Sequence, residues 1–159
     1  MSETHNMTDP QSLMDRLDRV ESELAIQRLI HEYCHGADKQ DLERFAAIWD
    51  DDAAWVTSPD QRFDGIEAIC AAVQEQWAAF KEMHHWTANF VVDIDGDRAV
   101  GEADVAVRVQ LTDGTWVRGG GTYQDVYVRR DGRWRVARRE VVSSFEEDPL
   151  PPGIGSPAD

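Results

Sequence analysis

The sequence predicts an α+β fold in which a curved antiparallel sheet is closed by three N-terminal helices into a cone. Three observations carry that expectation. Through the first half of the chain, apolar residues recur at three- and four-residue steps. From His85 onward the period changes to two and stays there. Asp-Gly signals then cut the second half into four long runs, each joined to the next by a tight hairpin.

Leu13, Leu17, Val20, Leu24, Ile26, Leu29, Ile30 and Tyr33 define one long amphipathic helix ending near Gly36. A short helix opens near Asp41, with Leu42, Phe45 and Ile48 on one stripe. Ala53 to Thr57 reads as a short strand, and Ser58-Pro59-Asp60 as a turn. Gly65 to Phe80 gives the third helix, with Ile66, Ile69, Val73, Trp77 and Phe80 at helical spacing. The strands follow: His85 to Ile94, Ala99 to Leu111, Thr115 to Arg129 and Arg133 to Phe145. Short connections make this meander antiparallel, and three helices cover only one of its faces. Strands this long must twist and bend, and Gly119-Gly120-Gly121 offers the place. A bent sheet closed by helices is hollow, and a hollow is a ligand pocket.

The domain runs from residue 12 to 147, after a disordered polar segment 1–11 and before a Pro-rich tail 148–159. The 31 acidic residues against 16 basic ones give a formal charge of −15. Nucleic acid and anionic membranes reward clustered Lys and Arg, so both are excluded as partners. No stretch approaches the ~18 apolar residues of a membrane span. Cys34 and Cys70 sit in apolar helical patterns and in no metal-ligand spacing, and read as reduced core residues of a cytoplasmic protein. A disulfide between them is the alternative.

Chemistry-bearing residues concentrate in two places. Tyr33 and Asp38 lie five apart where the first helix runs out, and His84-His85 open the meander. A carboxylate that orients an imidazole, with a phenol nearby, can take a proton from carbon without metal or cofactor. His84 and His85 point to opposite faces of a strand. His84 travels with Trp86, Ala88, Phe90, Val92 and Ile94; His85 travels with Thr87, Asn89, Val91 and Asp93. Simple alternation places the first set in the core and leaves His85 exposed. The spacing of His31 and His35 suits one side of a zinc site but brings no third ligand. No phosphate loop or nucleophile motif is present.

The chain resembles the nuclear transport factor 2-like superfamily in its SnoaL-like branch. The resemblance rests on Ala25-Ile26-Gln27, Ala37-Asp38-Lys39, the run from Ile48 to Trp55, His85-x-x-x-Asn89, the run from Tyr127 to Gly132, and Pro151 to Ile154. Within that branch it is most similar to hexachlorocyclohexane dehydrochlorinases, and less so to bile-acid 7α-dehydratases and scytalone dehydratases. The resemblance implies a His-Asp dyad of His85 and Asp38, with Arg139 facing the departing anion. It also implies an aromatic wall of Trp55 and Tyr123, a substrate contact at Asn89 and a homotrimer, or alternatively a dimer. The dehydrochlorinase pattern has lysine at the position of Tyr33. The bile-acid dehydratase pattern has tyrosine there, but its arginine falls on Ser143. The chain combines the two.

Each candidate also has a plain structural reading. Asp38 suits a turn or a cap for the next helix. Tyr33 suits an ordinary core tyrosine, and Trp55 and Tyr123 suit core aromatics. Arg139 suits a partner for a nearby carboxylate. The expectation is a cofactor-independent lyase, without bound metal, acting on a small to medium apolar ring. His85 would be the base and Tyr33 the group steadying negative charge, with the tail covering the pocket mouth. An isomerase or polyketide cyclase using the same pocket, and a non-catalytic binding protein, are the alternatives.

Overall fold

A computed structural model describes residues 9–147, with side chains through 142. The tail at 148–159, residues 1–8 and the side chain of Ser143 lie outside the described residues. The long helix α1 (Pro10–Asp38) begins within the segment expected to precede the domain, because Asp9 caps it and Pro10 occupies its first turn. The short helix α2 (Leu42–Ala46) is capped by Asp41, whose carboxylate accepts from Arg44 N–H. Asp38 is therefore not the cap of α2. Gly36 lets the two helices meet: a Cβ there would stand 2.8 Å from the Phe45 backbone. Gln40, at φ +53°, turns the chain between them.

Next come β1 (Trp49–Ser58), β2 (Gln61–Asp64) and α3 (Ile66–Ala79). The meander is β3 (Phe80–Asp95), β4 (Arg98–Leu111), β5 (Trp116–Arg130) and β6 (Arg133–Glu147). Its turns are those the Asp-Gly signals require, with positive φ at Gly96, Gly114, Asp131 and Gly132. Among the described residues the sheet has six strands in the order β2-β1-β6-β5-β4-β3. It is not wholly antiparallel, because β1 pairs with β6 in parallel. Nor does it close into a barrel: it stays a curved sheet with edges at β2 and β3.

Besides a slip between Phe80 and Glu82 at the start of β3, three bulges set which side chains of the meander face inward. Between Ala88 and Val91, β3 carries one residue more than β4, with Asn89 at φ +53°. Met83, His85 and Thr87 face the interior before it; Phe90, Val92 and Ile94 do so after it. This inversion of parity is why simple alternation misplaces His85. Gly101 on β4 makes room, since a Cβ there would stand 2.7 Å from the Val91 carbonyl oxygen. A second slip, between Val126 and Tyr127 on the β5 side, leaves Ala137 as the extra residue of β6. Trp134, Val136 and Arg139 then share the inner face, although unbroken alternation would pair Arg139 with Ala137. The third lies opposite Gly120-Gly121, where the bend was expected.

The apolar residues of α1 likewise do not form a single stripe. Ile26, Ile30, Tyr33 and Ala37 are buried, whereas Leu13, Leu17, Val20 and Leu24 are exposed. No helix among the described residues is long and apolar enough to cross a membrane. Cys34 and Cys70 are free thiols.

Candidate active site

The end of α1 is fixed from two sides. Trp77 Nε1 on α3 donates to the Ala37 carbonyl at 2.8 Å, and the turn to α2 closes through Asp41 N–H on Gly36 O at 2.9 Å. Asp38, the last residue of α1, is thereby delivered to β3. Because β3 is an edge strand, alternate backbone donors on its free side need a partner. Asp38 supplies one: His85 N–H donates to Asp38 Oδ2 at 2.9 Å. The other carboxylate oxygen, Oδ1, lies 2.6 Å from His85 Nδ1. A carboxylate accepts, so this contact assigns Nδ1 the donor role and turns Nε2 away from Asp38. The side chains are 8% exposed for His85 and 18% for Asp38.

His85 lines a cavity of about 390 Å³ between α1, α3 and the concave face of the sheet. Met83, Val105, Val107, Val109, Val117 and Val141 make most of its wall apolar, joined by Trp55 and Phe80. Tyr33, Tyr123, Thr57, Gln61 and Gln76 bring polar groups, and the backbone of Gly119 and Gly120 leaves the space open. Tyr33 packs edge-on against the His85 ring at 5.8 Å and the Tyr123 ring at 5.5 Å. Burial pushes the Tyr33 hydroxyl up to about 12 and raises that of Tyr123 as well. Both phenols remain protonated donors over the physiological range. Burial likewise pushes the Cys34 thiol up to about 11, which leaves it un-ionised near neutrality.

Two expected site residues stand elsewhere. Arg139 is fully buried and does not line the cavity. Its guanidinium lies 4.3 Å from the centre of the Tyr33 ring and 4.1 Å from that of Tyr123. Nε and Nη2 donate to Asp125 at 2.9 and 2.6 Å, and Tyr127 O–H donates to the same carboxylate at 2.6 Å. The physical reason is that a buried cation needs a counter-charge, and Asp125 is placed to provide it. Asn89 is exposed on the bulge, where Nδ2 donates to Asp104 at 2.7 Å. It borders a smaller cavity with Gln27, Ile30 and Thr87, away from His85. His84 is exposed on the outer face beside Trp116.

Asp125 was missed by sequence reading, although the signal was present. It alternates with Tyr123 and Tyr127 on the inward parity of β5, an acid where only an inward base explains it. Helical spacing shows Trp77 as part of an apolar stripe and gives no sign of the indole N–H bond that holds the end of α1. His31 and His35 acquire no third ligand, for among the described residues no three His, Cys, Asp or Glu side chains gather in metal-binding geometry.

The SnoaL-like domain family matches residues 18–140, well over half of the sequence. The chain belongs to the SnoaL-like family. Gamma-hexachlorocyclohexane dehydrochlorinase of Sphingobium indicum is 32% identical over 135 residues, covering 83% of this chain and 86% of the relative. Hexachlorocyclohexane dehydrochlorinase 1 of the same species is also 32% identical, covering 79% and 83%. Among solved structures, a type 2 hexachlorocyclohexane dehydrochlorinase superposes with a TM-score of 0.80 at 28% identity, covering 87% of this SnoaL-like chain and 99% of that one. A putative scytalone dehydratase of Novosphingobium aromaticivorans superposes with a TM-score of 0.77 at 22% identity, covering 82% and 89%. The last shares the fold. The curved sheet with its N-terminal helices is thus the nuclear transport factor 2-like fold.

Proposed function

We propose that the protein is a cofactor-independent lyase acting on a small to medium apolar ring compound. The observation that carries this reading is the Asp38–His85 pair, with the imidazole on the wall of an apolar cavity. His85 Nε2 takes the proton from the carbon next to the departing group, while Asp38 holds the ring and balances the charge it gains. Tyr33 and Tyr123 donate hydrogen bonds to the oxygen or halogen that becomes negative. Arg139 acts from behind the two phenols, through their rings, rather than by touching the leaving group. Similarity to dehydrochlorinases over more than four-fifths of the chain supports elimination as the outcome. The cavity volume lies within the range usual for small-molecule sites. The exposed Trp86, Val91 and Val100 on the outer sheet face support a protein that self-associates, as a homotrimer or dimer.

A second reading is favoured by one feature, the two protonated phenols side by side near the base. Such a pair also suits an enolate, which would make the reaction an isomerisation or cyclisation.

The experiment offers the purified chain cyclic hydroxy-ketones and chlorinated rings, and measures product mass. Loss of water or hydrogen chloride supports the lyase, whereas an altered product of unchanged mass supports the second reading. Asp38→Asn and His85→Ala should each lower turnover by about 10²- to 10⁴-fold while far-UV circular dichroism stays unchanged. Full activity in either variant would sink the mechanism.

A further inference from the structure

We propose that the N-terminal half of α1 is a pairing seam for a second copy of this chain, joined in parallel and in register. The seam is a separate feature from the cavity and holds whatever the reaction proves to be.

The inference begins with the two sides of α1. One side is docked: Asp18 accepts from Arg129 Nη1 at 2.7 Å, Ser22 Oγ accepts from the same nitrogen at 3.3 Å, and Ile26 is fully buried. At about 100° per residue, Leu13, Leu17, Val20 and Leu24 all fall roughly 160–220° around the helix from Ser22. They point straight away from the domain. Their exposures are 58%, 47%, 54% and 61%, and their spacing is four, three, four. Single exposed apolar residues are ordinary, but four on one stripe at coiled-coil spacing are a surface made to be covered.

The flanking charges say by what. Arg16 and Glu23 border the stripe on one side, Glu21 and Arg28 on the other. In a parallel, in-register pair, each residue on the flank of Arg16 and Glu23 meets the one five positions later on the opposite flank of its partner. Arg16 then faces Glu21 of the partner subunit, and Glu23 faces Arg28 of the partner subunit. Both contacts are between opposite charges, and symmetry repeats each. An antiparallel pair would match Arg16 with Glu23 only, leaving Arg28 without a counterpart. Arg28 now bonds Glu32 along its own exposed helix, an attachment weak enough to exchange. Because the docked side is opposite the seam, each domain lies outward and the two do not collide.

The test uses the full chain with Val20→Cys under mild oxidation, read on non-reducing gels. The native thiols serve as background, together with an exposed control, Asp60→Cys. The expected result is a disulfide-linked dimer of Val20→Cys formed at least tenfold faster than in the control. Arg16→Glu should slow that linkage several-fold, and adding Glu21→Arg should restore it, a rescue that mere folding defects do not show. The proposal is overturned if Val20→Cys links no faster than the control. It is also overturned if linkage occurs only between mixed Leu17→Cys and Val20→Cys chains, which marks antiparallel pairing. Linkage that appears only after deleting residues 148–159 would overturn it too, because the tail would then be the occupant.

Discussion

Arg139 and Asp125 show how one buried charge organises its surroundings. Both side chains are wholly shielded from solvent, so their attraction is little screened, but each depends on the other to be tolerable. Removing one partner strands the other. Asp125→Ala should cost about 3–5 kcal/mol in urea unfolding, and Asp125→Leu combined with Arg139→Met should recover much of it. Equal stability of the single variant and wild type would contradict the pairing. The tyrosines make a second prediction. The chain has three, and burial raises all of them: Tyr33 to about 12, with Tyr123 and Tyr127 also raised. A phenol whose ionisation is raised by folding stabilises the fold fully below its ordinary value near 10. That contribution is lost as pH climbs through 12. Tyrosinate absorbance should therefore stay flat past pH 10 and rise together with loss of circular dichroism. A midpoint near 10 with the fold intact would show that the phenols are accessible.

Among the elements, the bulge of β3 decides more than any single side chain. One extra residue at Asn89 moves the imidazole of His85 inward while keeping Phe90, Val92 and Ile94 on the core side. A left-handed φ is tolerated by asparagine and glycine but strained in a β-branched residue. Asn89→Gly should be nearly neutral. Asn89→Val should cost about 1–3 kcal/mol by thermal or urea unfolding, and equal stability of the two variants would mean the bulge is not held there. The bulge also explains why period-two reading succeeded in finding the strand yet failed to assign its faces. Such reading takes parity as constant, and parity changes wherever a residue is left unpaired. A second slip acts on Arg139 in the same way, since its inner-face neighbours are set by the extra residue at Ala137. For α1 the opposite failure occurred: a single period was read where the helix carries one stripe for the core and another for outside.

Across the whole molecule, a curved sheet with two edges wraps an apolar cavity, while the outer surface carries the acid excess. A formal charge of −15 on 159 residues means that folding brings like charges together. The screening length falls from about 30 Å at 0.01 M salt to about 8 Å at 0.15 M. The melting temperature should accordingly rise over that range, measured by circular dichroism in sodium chloride. A fall would mean that attractive pairs such as Arg130–Asp50 and Arg129–Asp97 outweigh the repulsion.

Much of the fold was decided by the sequence alone. The order of helices and strands apart from the short β2, the hairpins at Asp-Gly, the hollow interior and the candidacy of Asp38, His85 and Tyr33 follow from local periodicity, turn chemistry and motif spacing, which act over a few residues. Tertiary structure alone decided the parallel pairing of β1 with β6, the inward turn of His85, the withdrawal of Arg139 behind two phenols and the outward position of Asn89. These depend on which distant groups meet, and on single-residue slips between strands that local patterning does not record. A charge such as Arg139 takes its role from the counter-charge it finds, and Asp125 stands fourteen residues away, on another strand.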